Sequence, residues 1–303
     1  MVRRNASLAV SAFLGALLAS CTPASAPPPA STPAADSAAS GRESLRQALS
    51  FHASFDNGPD ADYARGDGAI YTAPSYDALE EAQPGIGNPD VQLVEGAGRF
   101  GDALDFTAKN GHAIFYHAEK NVAYDPADWS GTASFWLKLD PSMDLEPGYC
   151  DPIQLTDSGY NDAAVWVDFT KDNPRQFRLG VFGDLHAWNP EERSPEDFPG
   201  FNDRLVVTDS PPFSRDAWTH VVITYSGLGS GAGSARLYLD GTPLPEVREG
   251  IAEPFTWDSP ASVRLGLSYV GLYDELALFD RPLTSEEVAT LHALEGGVAE
   301  LNP

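Results

Sequence analysis

The sequence is short of basic side chains and of the residues that build most catalytic and metal-binding motifs. Its 303 residues carry 19 Lys and Arg against 44 Asp and Glu, a formal net charge of −25. So acidic a chain repels phosphate backbones and anionic lipid surfaces, which excludes nucleic acid as a partner and leaves no basic face for a membrane. Only two cysteines occur, Cys21 and Cys150. They give no CxxC pair and allow one disulfide at most. The six histidines, His52, His112, His117, His186, His220 and His292, have no HxxxH or HExxH spacing, which removes the commonest zinc sites. No Walker loop is present, and the Gly-rich run 227–233 reads as a hairpin loop. Long amphipathic helices are also missing between the apolar runs, so a βαβ fold is excluded.

What is present is a succession of short strands. Hydrophobic residues make up 42% of the chain, enough for a large core. Leu49-Ser50-Phe51-His52-Ala53-Ser54-Phe55 alternates apolar and polar residues with the period of a half-buried strand. Strand character recurs at 103–106, 113–116, 133–139, 164–169, 177–182, 218–225, 235–239, 263–267 and 272–279, each bounded by Gly, Asp, Asn or Pro. Near the end, Thr284-Ser285-Glu286-Glu287 forms a capping box ahead of Val288, Leu291 and Leu294, which predicts one short helix closed by Gly296-Gly297. The pattern predicts an all-β, two-sheet antiparallel sandwich over residues 45–297, with 298–303 as a tail.

The first residues read as an address. Arg3 and Arg4 precede an apolar run, Leu8 to Ala19, that is too short to remain as a membrane span. It ends in Leu18-Ala19-Ser20-Cys21, which resembles the bacterial lipobox. The resemblance implies a signal peptide over 1–20, a lipid on Cys21, export, and display at the bacterial envelope, with Thr22 favouring the outer membrane. An ordinary signal peptide cut near Ala24 or Ala26 is the alternative. Residues 21–44, rich in Pro, Ala and Ser, read as an extended tether. With Cys21 lipidated, Cys150 is left as a small packed side chain.

Four segments carry a family likeness. Gly101-Asp102-Ala103-Leu104-Asp105-Phe106, then Thr132-Ala133-Ser134-Phe135-Trp136-Leu137 with Trp129, then Trp218-Thr219-His220-Val221-Val222-Ile223-Thr224-Tyr225 with Leu237-Tyr238-Leu239-Asp240-Gly241, and finally Tyr273-Asp274-Glu275-Leu276-Ala277-Leu278-Phe279-Asp280-Arg281-Pro282-Leu283 follow one another in order. Together they resemble the LamG-like jellyroll of the concanavalin A-like lectin/glucanase superfamily. The resemblance implies a jelly-roll, and a structural calcium held by Asp56 and Asp274 with Asn57 and Asp60 assisting. Three segments exceed a minimal member of the family: 57–99, 148–162 and 184–204.

The superfamily includes glycoside hydrolases, whose paired carboxylates commonly sit on one strand as ExDxxE; this sequence has no such triplet. No Ser-His-Asp arrangement can be assembled either. The reading is therefore a non-catalytic, exported binding domain that captures a polysaccharide or glycoprotein. Trp188, Tyr160, Phe201, His186 and Asn161, in the two later long loops, are the candidates for stacking on sugar rings and reading their hydroxyls. The alternative is a structural or protein-contact envelope lipoprotein without sugar affinity, and a divergent glycoside hydrolase or lyase is a third reading.

Overall fold

A computed structural model of the chain describes residues 33–191, 193–194 and 198–303. The lipidation candidate Cys21 and the signal segment lie outside the described residues. The described chain forms two antiparallel sheets packed face to face, as the strand pattern predicts. Through the nine-stranded sheet the order is Thr242–Ile251, Gly233–Leu239, Thr219–Leu228, Trp129–Lys138, Gly271–Phe279, Leu49–Ala53 and Tyr63–Ala64, with Ala103–Phe106 and Val91–Val94 attached beside Gly271–Phe279. The eight-stranded sheet runs Leu205–Thr208, Phe177–Phe182, Ala164–Phe169, Cys150–Thr156, Ser262–Leu267, Ala113–His117, Tyr71–Ala73 and Gln83–Pro84.

The core lies between the sheets and is dense in aromatic rings. Phe135 and Tyr273, on neighbouring strands, stack with centroids 5.1 Å apart, and Phe51 meets Tyr116 edge-on at 4.7 Å across the sandwich. Cys150 is buried in this core, and burial pushes its thiol up to about 11, so it packs as a small apolar side chain.

A second apolar cluster covers the outer face of the nine-stranded sheet. Leu49, Val222, Tyr238, Ala277 and Phe279 from the strands meet Val288 and Leu291 of the helix Ser285–His292, with Leu45, Val298 and Leu301. The capping box forms as expected: the Thr284 hydroxyl accepts from the Glu287 N–H at 3.2 Å, and the Glu287 carboxylate accepts from the Thr284 N–H at 2.9 Å.

Three expectations need correction. The tether assigned to 21–44 gives way to a helix, Pro33–Ala48. Its second half, Arg42-Glu43-Ser44-Leu45-Arg46-Gln47-Ala48, is rich in good helix formers, and Leu45 and Ala48 bury themselves in the second cluster. The tail assigned to 298–303 is packed rather than loose, since Val298 and Leu301 are buried in a short 3-10 turn. Finally, Cys150–Thr156, inside a segment read as a loop, is an interior strand of the eight-stranded sheet.

Candidate functional site

That strand and its neighbours build a cleft. On Ala164–Phe169, Val165, Val167 and Phe169 point into the core and Trp166 and Asp168 point out; on Phe177–Phe182, Phe177, Leu179 and Val181 point in and Arg178 and Gly180 point out. Asp168 stands directly opposite Arg178, and Trp166 opposite Gly180. On the other side, Val167 pairs with Ile153 but Phe169 pairs with Cys150, so Cys150–Thr156 carries one extra residue at Asp151-Pro152. A bulge of this kind re-aims a side chain, and here it falls opposite Asp168, with Asp151 on the same cavity wall.

The cleft has a volume of about 390 Å³ and is walled by Asp151, Gln154, Trp166, Asp168 and Arg178, with Tyr149, Tyr160, Phe201 and Leu267 around them. Its polar walls are buried: Gln154 and Asp168 are each 3% exposed, Asp151 7% and Arg178 8%. Arg178 grips Asp168 through two hydrogen bonds, Nε to Oδ1 at 2.8 Å and Nη2 to Oδ2. The same guanidinium lies 5.0 Å from the Tyr149 ring centroid. The Gln154 amide donates to Asp151 Oδ2. Burial pushes the Asp151 carboxyl well above the usual carboxylate range, and the charge of Asp168 adds to the effect.

The floor is flat because Gly180 lies beneath Trp166, where a Cβ would stand 2.2 Å from the indole. The Trp166 Nε1 donates to the Tyr160 carbonyl at 2.6 Å, fixing the Tyr160 loop at the rim. Tyr160 is 38% exposed and Tyr149 42%.

The sugar-contact candidates therefore separate. Tyr160 and Phe201 reach the cleft. Trp188 does not, which corrects its assignment as a stacking platform: it is buried against Phe182 and Phe198, and its Nε1 donates to the Asn161 carbonyl at 2.9 Å. It ties the two long loops together. Asn161 contributes that carbonyl and does not line the cleft, and His186 is exposed on the short helix Leu185–Trp188, also away from it. Asp151, Gln154, Asp168 and Arg178 were not singled out from sequence. The available signal was a charged residue in each of two otherwise apolar strands, Asp168 and Arg178, opposite in sign.

Of the four metal candidates, Asp60 and Asn57 are engaged elsewhere. Asp60 accepts from the Ile70 N–H at 2.9 Å, and the Asn57 amide donates to Asp62 at 2.8 Å. Asp56 and Asp274 instead clasp one loop from two sides: Asp56 accepts from the Asp102 N–H at 2.7 Å, and Asp274 Oδ2 from the N–H groups of Arg99 at 2.6 Å and Phe100 at 3.2 Å. Gly98 and Gly101 permit the approach, since a Cβ on Gly101 would lie 2.1 Å from Asp56 Oδ1 and one on Gly98 2.8 Å from Asp274 Oδ2. Burial, with Glu275 beside it, pushes the Asp274 carboxyl up to about 8, and its Oδ1 is buried without a hydrogen-bond partner. Among the described residues no group of three or more His, Cys, Asp or Glu side chains is placed to hold a metal.

A family model described as the concanavalin A-like lectin/glucanases superfamily matches residues 115–289, more than half of the chain. The chain belongs to that superfamily. Among solved structures, this superfamily member is similar to the ligand-binding domain of botulinum neurotoxin serotype D in complex with N-acetylneuraminic acid. The identity is 11% over 83% of this chain and 52% of that one, with a TM-score of 0.52. It is also similar to the binding domain of Paraclostridial mosquitocidal protein 1, at 12% identity over 82% and 52%, with a TM-score of 0.50. Domain 4 of AbnA, a GH43 extracellular arabinanase from Geobacillus stearothermophilus solved with arabinotriose, matches at 16% identity over 80% and 97%, with a TM-score of 0.47. The chain spans about half the length of the two toxin domains, and at these identities the likeness is one of fold. No curated protein matches the chain.

Proposed function

We propose that this chain is an extracytoplasmic glycan-capture domain, that its binding site is the cleft over Asp151, Gln154, Asp168 and Arg178, and that a lipid on Cys21 holds it at the bacterial envelope. One observation carries the reading. Four polar side chains, three of them ionisable, are held almost fully buried on a sheet face that points away from the core and opens into a cavity. Desolvating such groups costs several kcal/mol per ion, and apolar side chains would serve the fold at least as well. A rigid floor of fixed donors and acceptors rimmed by tyrosines suits hydroxyl-rich rings, which need hydrogen bonds from their edges and an aromatic surface against their faces. That the neurotoxin relative was solved with a sugar, as a ligand-binding domain, supports the same reading.

The test is a binding isotherm of the full chain against a polysaccharide and oligosaccharide panel, with released reducing ends assayed in parallel. Saturable binding that Asp151→Asn weakens, without sugar release, is the expected outcome. Failure to bind any glycan moves the reading to a protein-contact role. A second reading has its own support: Asp151 and Asp168 are two carboxyl groups in one cleft, both pushed up by burial and only Asp168 paired with a guanidinium, and a glycoside hydrolase works with two carboxyl groups in unlike surroundings. Sugar release abolished by Asp151→Asn would establish it.

Calcium is proposed at the Asp56–Asp274 clasp, supported by the orphaned Asp274 Oδ1. Oxygen ligands suit that ion, which would compensate the buried charge and pin the loop to the last strand. A rise in unfolding temperature with calcium, absent in Asp274→Asn, is the expected result; identical melting in calcium and in chelator removes the site.

A further inference from the structure

Resting on the glycan-capture reading, we infer that the cleft selects neutral sugars and rejects anionic ones, whether uronic, sialylated or sulfated. A carboxylate or sulfate group is received best by a guanidinium or ammonium whose charge is not already balanced. Arg178 is the one cation on the cleft wall among the described residues, and Asp168, gripped through Nε and Nη2, balances its charge. Arg264, one strand away and directly opposite Gln154, is not on that wall: its Nε donates to Ser262 Oγ at 3.0 Å and its Nη1 to the Ser158 carbonyl at 2.8 Å.

An incoming anion would also meet the Asp168 carboxylate on the same wall. Like charges repel most strongly where water is scarce, and the net charge of −25 opposes the approach of an anion from a distance. A neutral polyol meets none of this. Its hydroxyls can donate to the carboxyl oxygens and accept from the Gln154 amide, and its ring face can lie on Tyr160 or Tyr149. The Asp168–Arg178 pair therefore acts as a filter: it holds the guanidinium in place for packing and hydrogen bonding, and cancels the charge that an anion would need.

The experiment compares neutral oligosaccharides with uronic, sialylated and sulfated ones of equal length, against the full chain at fixed ionic strength. Neutral ligands are expected to bind at least about tenfold more tightly. Asp168→Asn removes one negative charge and loosens the grip on Arg178, and is expected to raise the ratio of anionic to neutral affinity about tenfold. Should that variant fail to fold, Ser194→Lys, which adds an unbalanced ammonium to an exposed part of the cleft wall and leaves the Arg178 pair intact, is expected to shift the ratio the same way. A wild-type preference for anionic glycans would overturn this inference and leave glycan capture standing. No binding to any glycan would overturn the capture reading and this inference with it.

Discussion

The outer faces of the two sheets start from the same pleat and end differently. On the nine-stranded sheet the outward residues include Val222, Ala277 and Phe279, and the chain covers them with its own helices, from Leu45 at one end to Leu301 at the other. On the eight-stranded sheet the outward residues over three adjacent strands include Asp151, Gln154, Trp166, Asp168 and Arg178, and a cavity lies over them, bordered beyond Trp166 by the segment that carries Trp188 and Phe201. Apolar outward residues demand a lid, because exposed they would form a patch prone to association. Polar outward residues demand partners for their hydrogen bonds, and find some in one another. The covered face is thus explained by folding alone, whereas the open face is more polar and more deeply buried than folding requires. Function is to be sought on the face whose composition stability does not explain.

The largest expected effect breaks the covered face. Phe279 is 2% exposed beneath the helices, and Phe279→Ala should cost about 3–5 kcal/mol through the lost transfer energy and the cavity left behind. Urea unfolding would measure it. Glycan binding under native conditions should be unchanged, because Phe279 faces away from the cleft. A comparable loss of binding would mean that the two faces are coupled, and the comparison between them would fail.

A smaller effect is expected at the clamp that holds the lid. The hydrogen bonds from Arg281, with the Thr284 N–H, hold the Glu287 carboxyl at about 2 against an ordinary 4.5, and Arg281 also donates to Ser44 Oγ at 2.7 Å, linking the first helix to the last. The folded value lies below the ordinary one. The charged form therefore stabilises the fold fully above about pH 4.5, and that contribution is lost as pH falls through 4.5 towards 2. Glu287→Gln should flatten the acid limb of stability within this window and lower stability slightly at pH 7. An unchanged acid limb would place the sensitivity elsewhere.

Much of the sandwich was legible in the sequence. Strands 103–106, 164–169 and 177–182 were bounded to the residue, because their inward positions are apolar without interruption. The capping box at Thr284 announced the last helix. The strand Cys150–Thr156 was missed for the reason it matters. Asp151 and Gln154 are polar at outward positions and Pro152 interrupts the run, so the apolar period is hidden and the segment reads as a loop. The first helix was missed because its anchoring residues, Leu45 and Ala48, follow a stretch of tether-like composition. Spatial neighbours on different strands, such as Asp151 beside Asp168, leave no mark in linear spacing at all.

The last prediction separates two aromatics that look alike in sequence. Tyr160 and Trp188 both come from long loops, and the sequence offers both as sugar platforms. Trp188 is 4% exposed and donates its indole N–H to the Asn161 carbonyl, so its loss should act on stability and loosen the rim. Tyr160 is 38% exposed over the cleft, so Tyr160→Ala should leave unfolding nearly unchanged, within about 0.5 kcal/mol. It should weaken glycan binding by about 0.5–1.5 kcal/mol, the usual worth of an aromatic contact beyond its buried area. That corresponds to an affinity loss between about twofold and twelvefold, readable by calorimetry. If Tyr160→Ala instead unfolds readily and binds glycan as well as wild type does, its ring is a loop anchor like Trp188, and the rim of the open face has no sugar platform at Tyr160.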